Sequence, residues 1–485
     1  MSVLSEAVRA TFAEARGDAF EIDGRWVSWA EALALTDAVR GALATCRIGP
    51  GARVGLIARN RAPQAAGLMA LLADDLCAVP LNPFQSEAML ASDVARLGLA
   101  AVLGEPADLT EAVRAADPAA GIVALEPAGA QVLRRPSFTD ERTQADCAIL
   151  LPTSGTTGTP KRIPIRPDSW HATLTAGVRN AGKTDVTIQY SPLAHIAGAL
   201  TVSGAAVRGD RVVLLEKFSV EGWLDAVRRY RPVVASLPPT MMRMVMDAGP
   251  DPADLASVEV VMSGQAPVDW SLARAFEAKY GVVVCGNYGA TEYCGPIAAG
   301  SAELRRQFGD AKWGSVGRLR RDLAEARIVH PQTGAAVAAG ETGVLEVKVF
   351  RIGSDWMRTS DLARLDADDF LYIEGRADDA IIRGGFKITP DTVADALRAF
   401  PGVADVGVAG LPDERLGALP AAAVEMKPGA AWPSEAELIA FARSKLLAYQ
   451  VPVRVKVVDA LPRTPTLKVD RRGLIALLQE SGDTY

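Results

Sequence analysis

The chain has 485 residues, of which 49% are hydrophobic and 23% charged. That is enough apolar surface to offset chain entropy, which excludes disorder as the main state. Its 52 basic and 58 acidic residues leave a net charge of −6, which excludes the basic excess of a phosphate-backbone binder and argues against a nucleic-acid partner.

The first 140 residues alternate helical and strand-like segments. Residues 29–43 have an amphipathic helical pattern, 53–58 read as a buried strand, 62–75 as a helix and 77–81 as a strand. This alternation predicts βαβ units and a parallel sheet. The pattern resumes with strands at 211–215 and 232–236 around a helix at 220–230. Short strands at 258–262 and 282–285 then flank a helix at 270–280. From about residue 314 short runs such as 325–329 and 343–350, split by Gly, Pro and Thr, predict an antiparallel β region. Beyond 377 an α+β pattern follows: helix 391–399, strands 403–409 and 421–426, helix 434–448, strand 453–458. The fold class expected is therefore α/β. A large N-terminal region (1–377) holds layered α/β subdomains and a small β-barrel-like part, and a small mobile α+β domain occupies 378–485.

The five cysteines are odd in number and scattered without a CxxC, and there are only three histidines. Neither a disulfide framework nor a His-rich metal centre is expected, and a reducing cytoplasm fits. The N-terminus carries Glu6 early and has no apolar core of a leader. The most apolar stretch, 65–81, is interrupted by Asp74 and Asp75 and is too short and charged to span a bilayer.

Four segments carry chemistry. Leu151-Pro-Thr-Ser-Gly-Thr-Thr-Gly-Thr-Pro-Lys161 exposes backbone N–H groups, hydroxyls and one ammonium in a small volume, which suits a polyphosphate. It is not a Walker A loop, because Pro160 and Arg162 stand where Gly and Ser/Thr are needed. A Gly/Thr surface loop is the bland alternative. Gly286-Asn-Tyr-Gly-Ala-Thr-Glu292 offers an aromatic face for a base and a carboxylate for Mg²⁺, although taken alone it reads as a strand-to-helix loop. Trp356-Met-Arg-Thr-Ser-Asp361, with Gly375 to Lys387 after it, and Leu461-Pro-Arg-Thr-Pro-Thr-Leu-Lys468 could each be a surface turn.

In this order and spacing the four resemble the core motifs of the acyl-adenylate-forming (AMP-binding) superfamily. That family includes acyl- and aryl-CoA ligases, peptide-synthetase adenylation domains and beetle luciferase. The resemblance runs from about Trp29 to Arg472. It implies that Thr153, Ser154, Gly155, Thr156, Thr157, Gly158 and Lys161 wrap the ATP phosphates. Gly264, Gln265 and Ala266 would flank the adenine; Asn287, Tyr288, Gly289 and Ala290 would hold it, with Tyr288 stacking. Thr291 would take the α-phosphate, and Glu292 with Thr156 would hold Mg²⁺. Asp361 would accept from both ribose hydroxyls, with Arg376 beside it. Asp378 falls at the hinge position, Gly384 and Gly385 beside the pantetheine path of coenzyme A, and Lys468 at the catalytic lysine. His195 would gate an acyl pocket lined by Ala197, Gly198, Leu200, Met241, Met242, Gly289 and Ile297; Met241 and Met242 read equally well as helix core. The departures are Ser360 and Leu467, where the family has Gly, and Thr392, where it has a carboxylate.

The family's amino-acid-binding Asp is missing from Leu193-Ala-His-Ile, and no carrier domain follows. An ATP-dependent acid–CoA ligase for an apolar aliphatic, alicyclic or aromatic acid is thus expected. The alternatives are a stand-alone enzyme loading a carrier protein and a non-catalytic nucleotide sensor. Arg243 is the one nearby cation for a second substrate carboxylate, and it reads as a helix-surface residue.

Overall fold

A computed structural model describes residues 1–152, 161–176, 186–377, 381–383, 386–413, 415–464 and 467–480, without the side chains of Ile382, Phe386 and Lys387. The chain forms two compact units. The first comprises described residues up to 324 together with 349–354; the second comprises 325–348 and the residues from 355 onward.

The first unit is built on three sheets. In the largest, strands Gly121–Glu126, Ala101–Gly104, Arg53–Ile57, Cys77–Leu81 and Ile149–Pro152 run side by side and parallel. Gly129–Arg134 and Arg162–Ile165 close the two edges antiparallel. The expected βαβ layering is thus present. The helix Ala62–Ala73 is buried on almost every face, as its run of Ala, Leu and Met allows. Asp74 ends it and pairs with Arg9 and Arg40. Helix Trp29–Thr45 starts in a capping box in which Ser28 and Glu31 satisfy each other's backbone N–H groups. The apolar core joins Phe20, Trp29, Leu56, Leu68 and Trp170 into one cluster.

A second sheet pairs Val186–Gln189, Arg211–Leu214, Asp18–Ile22 and Arg25–Ser28 in that order. The third carries the most functional sequence: Val234–Ser236, Val260–Ser263, Val283–Ala290, Gly295–Ala299 and Arg318–Leu319. Its central strand is longer than the apolar pattern at 282–285 predicts. It pairs parallel with Val260–Ser263 through Gly286, then changes partner and runs antiparallel to Gly295–Ala299 from Asn287 on. The segment expected as a loop is therefore sheet up to Ala290, because a second neighbour takes up its backbone groups.

Ala324–Val329, Gly343–Val349, Met357–Leu365 and Leu371–Arg376 make a four-stranded sheet that belongs to the second unit except for the end residues Ala324 and Val349. It is open, with Ala324–Val329 and Leu371–Arg376 at its edges, and not the barrel-like part that the sequence pattern suggests. Four short strands are too few to curl closed. The remainder is a sheet in the order Phe386–Ile388, Ile381–Arg383, Gly417–Met426, Val403–Asp413, with Arg454–Val458 parallel to Gly417–Met426. Helices Pro390–Arg398 and Glu435–Arg443 contribute Val393, Leu397 and Leu438 to its core. The second helix is shorter than predicted, because Ser444 caps it. Among the described residues no helix is long and apolar enough to cross a membrane.

Candidate active site

In the first unit, two neighbouring strand ends bring together the residues that the resemblance assigns to the adenine. Ser263 and Gly286 are cross-strand partners, so the turn at Gly264, Gln265 and Ala266 lies beside Asn287. The contact is close enough that any β-carbon at position 264 would collide with Asn287 Oδ1. Gln265 is held at φ +65°, a left-handed conformation uncommon outside Gly, Asn and Asp and typical of functional turns. Tyr288 is half-buried, its ring 6.2 Å from that of buried Tyr293. Gly289 has no room for a side chain, because the backbone of Gly295 and Pro296 lies against it. Thr291 and Glu292 form a short 3₁₀ turn with Tyr293, and Glu292 is exposed. Cys294 follows at φ +60°.

The carboxylate of Glu292 is a hard oxygen ligand. Among the described residues no group of three His, Cys, Asp or Glu could hold a metal ion. One exposed carboxylate suits Mg²⁺ that arrives on ATP phosphates, since Mg²⁺ in such sites takes one or two carboxylates plus substrate oxygens. Residues 153–160 of the Thr-rich segment, including Thr153, Ser154, Gly155, Thr156, Thr157 and Gly158, lie outside the described residues. Lys161 is exposed just before the returning strand Arg162–Ile165.

His195 caps the helix Ile196–Arg208 and donates its backbone N–H to Pro192 O, 2.9 Å away. Asn60, only 1% exposed, fixes that turn: its amide donates to Ser191 O and Leu215 O, and its oxygen accepts from Leu193 N at 3.1 Å. Gly198 packs on the Pro192 carbonyl, Ala197 is half-buried and Leu200 reaches toward Gly295. Met241, Met242 and Ile297 are buried. Arg243 donates to Asp269 Oδ2 at 2.8 Å, so its charge is already matched within the protein.

In the second unit, Asp361 and Arg376 are cross-strand partners. Asp361 N donates to Thr359 Oγ1 at 2.9 Å, and Arg376 Nη2 donates to Ser360 Oγ at 2.5 Å. The hydroxyl that departs from the family's Gly thus orients the arginine. Lys468 is half-buried, and its backbone O accepts from Thr464 N at 2.8 Å. Leu467 before it sits at φ +61°, which explains why the family has Gly there. Arg463 steadies this turn: it donates to Leu467 O at 3.2 Å while pairing with Asp405 and Glu425. Burial pushes the Lys468 ammonium below the ordinary lysine value, and the charge of Arg376 adds to the shift. Asp378, Gly384 and Gly385 lie outside the described residues.

The sequence reading missed Asn60 and the supporting role of Arg463. Asn60 sits between two arginines, and no local spacing marks it, because its partners are more than a hundred residues away.

The first unit is thus a layered α/β structure with a tight strand-end turn at Gly264–Ala266, and the second an α+β structure that carries the half-buried Lys468. Residues 9–350 match the model of the AMP-binding enzyme family and residues 392–468 that of the AMP-binding enzyme C-terminal domain; the chain belongs to this family. Among curated relatives, 4-coumarate–CoA ligase-like 9 of Arabidopsis thaliana is 31% identical over 360 residues, covering 68% of this chain and 62% of its own. The chain thus spans under two thirds of the length of the first such relatives. The o-succinylbenzoate CoA synthetase MenE of Bacillus subtilis, in complex with its acyl-adenylate, superposes with a TM-score of 0.80 at 26% identity, over 97% of this chain and 96% of that one. ATP-bound MatB of Rhodopseudomonas palustris shares the fold, with a TM-score of 0.83 at 24% identity over 98% of each chain.

Proposed function

We propose that this chain is an AMP-forming acid–CoA ligase. A carboxylic acid attacks the α-phosphorus of ATP to give acyl-AMP and pyrophosphate, and the thiol of coenzyme A then displaces AMP to give the thioester. The observation that carries the proposal is the pairing of Ser263 with Gly286, which sets the Gly264–Ala266 turn against Asn287 and leads straight to Thr291 and Glu292. The names of the CoA ligase relatives support the same chemistry.

In this reading Tyr288 stacks on adenine, Thr291 takes the α-phosphate, and Glu292 holds Mg²⁺, which screens the phosphate charge. Thr156 and its neighbours surround the leaving pyrophosphate. Asp361 accepts from the ribose hydroxyls, and Arg376 lies beside it. Lys468 places positive charge where the carboxylate and α-phosphate, both anionic, converge; one such donor is worth ~3–4 kcal/mol in the transition state. The proposed domain boundary is at 377, with Asp378 the hinge and Gly384 and Gly385 along the thiol's path.

The residues assigned to the acyl pocket beside His195 are apolar, and the pairing of Arg243 with Asp269 leaves that cation committed. The substrate is accordingly an apolar aliphatic, alicyclic or aromatic mono-acid, and 4-coumarate belongs first in a test panel. The proposed compartment is the cytoplasm. The test is ATP–pyrophosphate exchange across a panel of acids, followed by mass spectrometry of AMP and thioester with coenzyme A present. Release of ADP and phosphate, or no exchange with any acid, refutes the proposal. Adenylate without thioester transfers the acceptor role to a carrier protein.

A further inference from the structure

The turn that bears Thr291 and Glu292 is held from outside its own sheet. Its carbonyls are gripped by side chains remote in sequence: Arg351 Nε donates to Tyr293 O at 2.9 Å, Thr173 Oγ1 to Cys294 O at 2.9 Å, and Arg351 Nη2 to Pro296 O at 3.1 Å. Arg351 is itself fastened. Ser169 Oγ donates to its carbonyl at 2.5 Å, and Phe350 N donates to Leu323 O at 3.0 Å. These residues all belong to the first unit, to which 349–354 returns after the excursion through 325–348.

Among the described residues no carboxylate forms an ion pair with Arg351, and burial lowers its pKa from the ordinary arginine value. A half-buried guanidinium that spends its fork on two main-chain carbonyls is a costly way to fill space. It is, however, an effective way to fix a strained turn, because a planar fork sets the separation of its two acceptors. Cys294 needs that help, standing between the two acceptors at φ +60°. With the carbonyls of 293, 294 and 296 drawn toward Arg351 and Thr173, the turn has little freedom to reorient Thr291 and Glu292.

We propose that Arg351 is a positioning residue for adenylation, setting the Thr291–Glu292 turn so that it meets the α-phosphate and Mg²⁺ together. The inference rests on the proposed roles of Thr291 and Glu292, and the test separates the two. ATP–pyrophosphate exchange is followed against Mg²⁺ concentration for Arg351→Ala, Arg351→Lys and Glu292→Gln, with thermal unfolding of each.

Loss of an outer partner of a metal ligand typically costs ~10–100-fold in metal affinity or activity. Arg351 holds the carbonyl next to Glu292 and not the carboxylate itself, so Arg351→Ala should fall by up to ~10–100-fold in exchange rate, with half-saturation by Mg²⁺ moving up in the same range and the KM for the acid unchanged. Methylguanidinium added to this variant should restore part of the rate. Arg351→Lys keeps the charge but can reach one carbonyl at a time, so it should also need more Mg²⁺. It carries the comparison if the alanine variant does not fold.

Folded Arg351 variants with wild-type exchange and Mg²⁺ requirement, beside an impaired Glu292→Gln, overturn the positioning role alone. A fall in melting temperature with no change in Mg²⁺ requirement assigns Arg351 to stability only and also overturns it. An unimpaired Glu292→Gln overturns the reading of the turn itself.

Discussion

Replacing Lys468 with Ala should separate the two half-reactions. The lysine follows left-handed Leu467, its turn is pinned through Arg463 to Asp405 and Glu425, and it feels the like charge of Arg376. Burial and that charge raise the free energy of its protonated form before any anion binds, so the ammonium is poised to gain when carboxylate and α-phosphate converge. Its removal should lower the turnover of adenylate formation by ~10²–10³-fold, the scale of losing one preorganised donor. Preformed acyl-AMP and coenzyme A should still give thioester at near wild-type rate, because the thiol attacks the acyl carbonyl and no carboxylate approaches the α-phosphorus in that step.

The pH profile supplies a second reading. In the proposed role the protonated form is the active one, and the folded pKa is depressed below the ordinary lysine value. Activity should therefore be full below the depressed pKa and be lost as pH rises through it, with the alkaline limb of kcat/KM for exchange below ~10.4. Lys468→Arg should move this limb upward. Equal loss of both half-reactions in Lys468→Ala, or an alkaline limb unmoved in Lys468→Arg, would refute the reasoning.

Asp361→Ala should raise the KM for ATP through loss of charged hydrogen bonds worth ~1.5–3 kcal/mol; an unchanged KM in a folded variant removes Asp361 from the ribose site. Leu467→Gly relieves a left-handed conformation that costs an L-residue ~1–2 kcal/mol, partly offset by ~0.5–1 kcal/mol of added chain entropy. A small rise in melting temperature is expected, and a clear fall shows that packing of the leucine outweighs the strain. Asp378→Pro fixes φ near −65° and should spare pyrophosphate exchange while slowing thioester formation, because one closed arrangement cannot serve both ATP and a thiol. A parallel fall in both steps, measured by mass spectrometry of acyl-AMP and thioester, counts against a hinge there.

Local pattern alone placed several elements to the residue. The helix at Val220–Tyr230 and the strand at Cys77–Leu81 lie where the apolar pattern puts them, because an apolar stripe and short-range hydrogen bonds are encoded within a dozen residues. The candidate segments stand out in the sequence too, since the Thr-rich segment and the Thr291–Glu292 turn draw their hydroxyls, glycines and carboxylate from consecutive positions. What depended on neighbours did not show. The strand Val283–Ala290 outruns its apolar run because Gly295–Ala299 pairs with its second half, and the sheet of residues 324–376 stays open where short runs of strand suggested a barrel.

The supports of the site were equally hidden. Asn60 holds the His195 turn, Arg351 grips the carbonyls after Glu292, and Ser360 turns Arg376. The first two act over 55 to 133 positions of sequence separation. Sequence by itself determined which groups the chain carries and the short elements that present them. Tertiary structure decided which backbone carbonyls those groups satisfy and which turns are thereby held strained, because a buried polar group takes its partner from whatever packing brings within about 3 Å, and no local pattern records that choice.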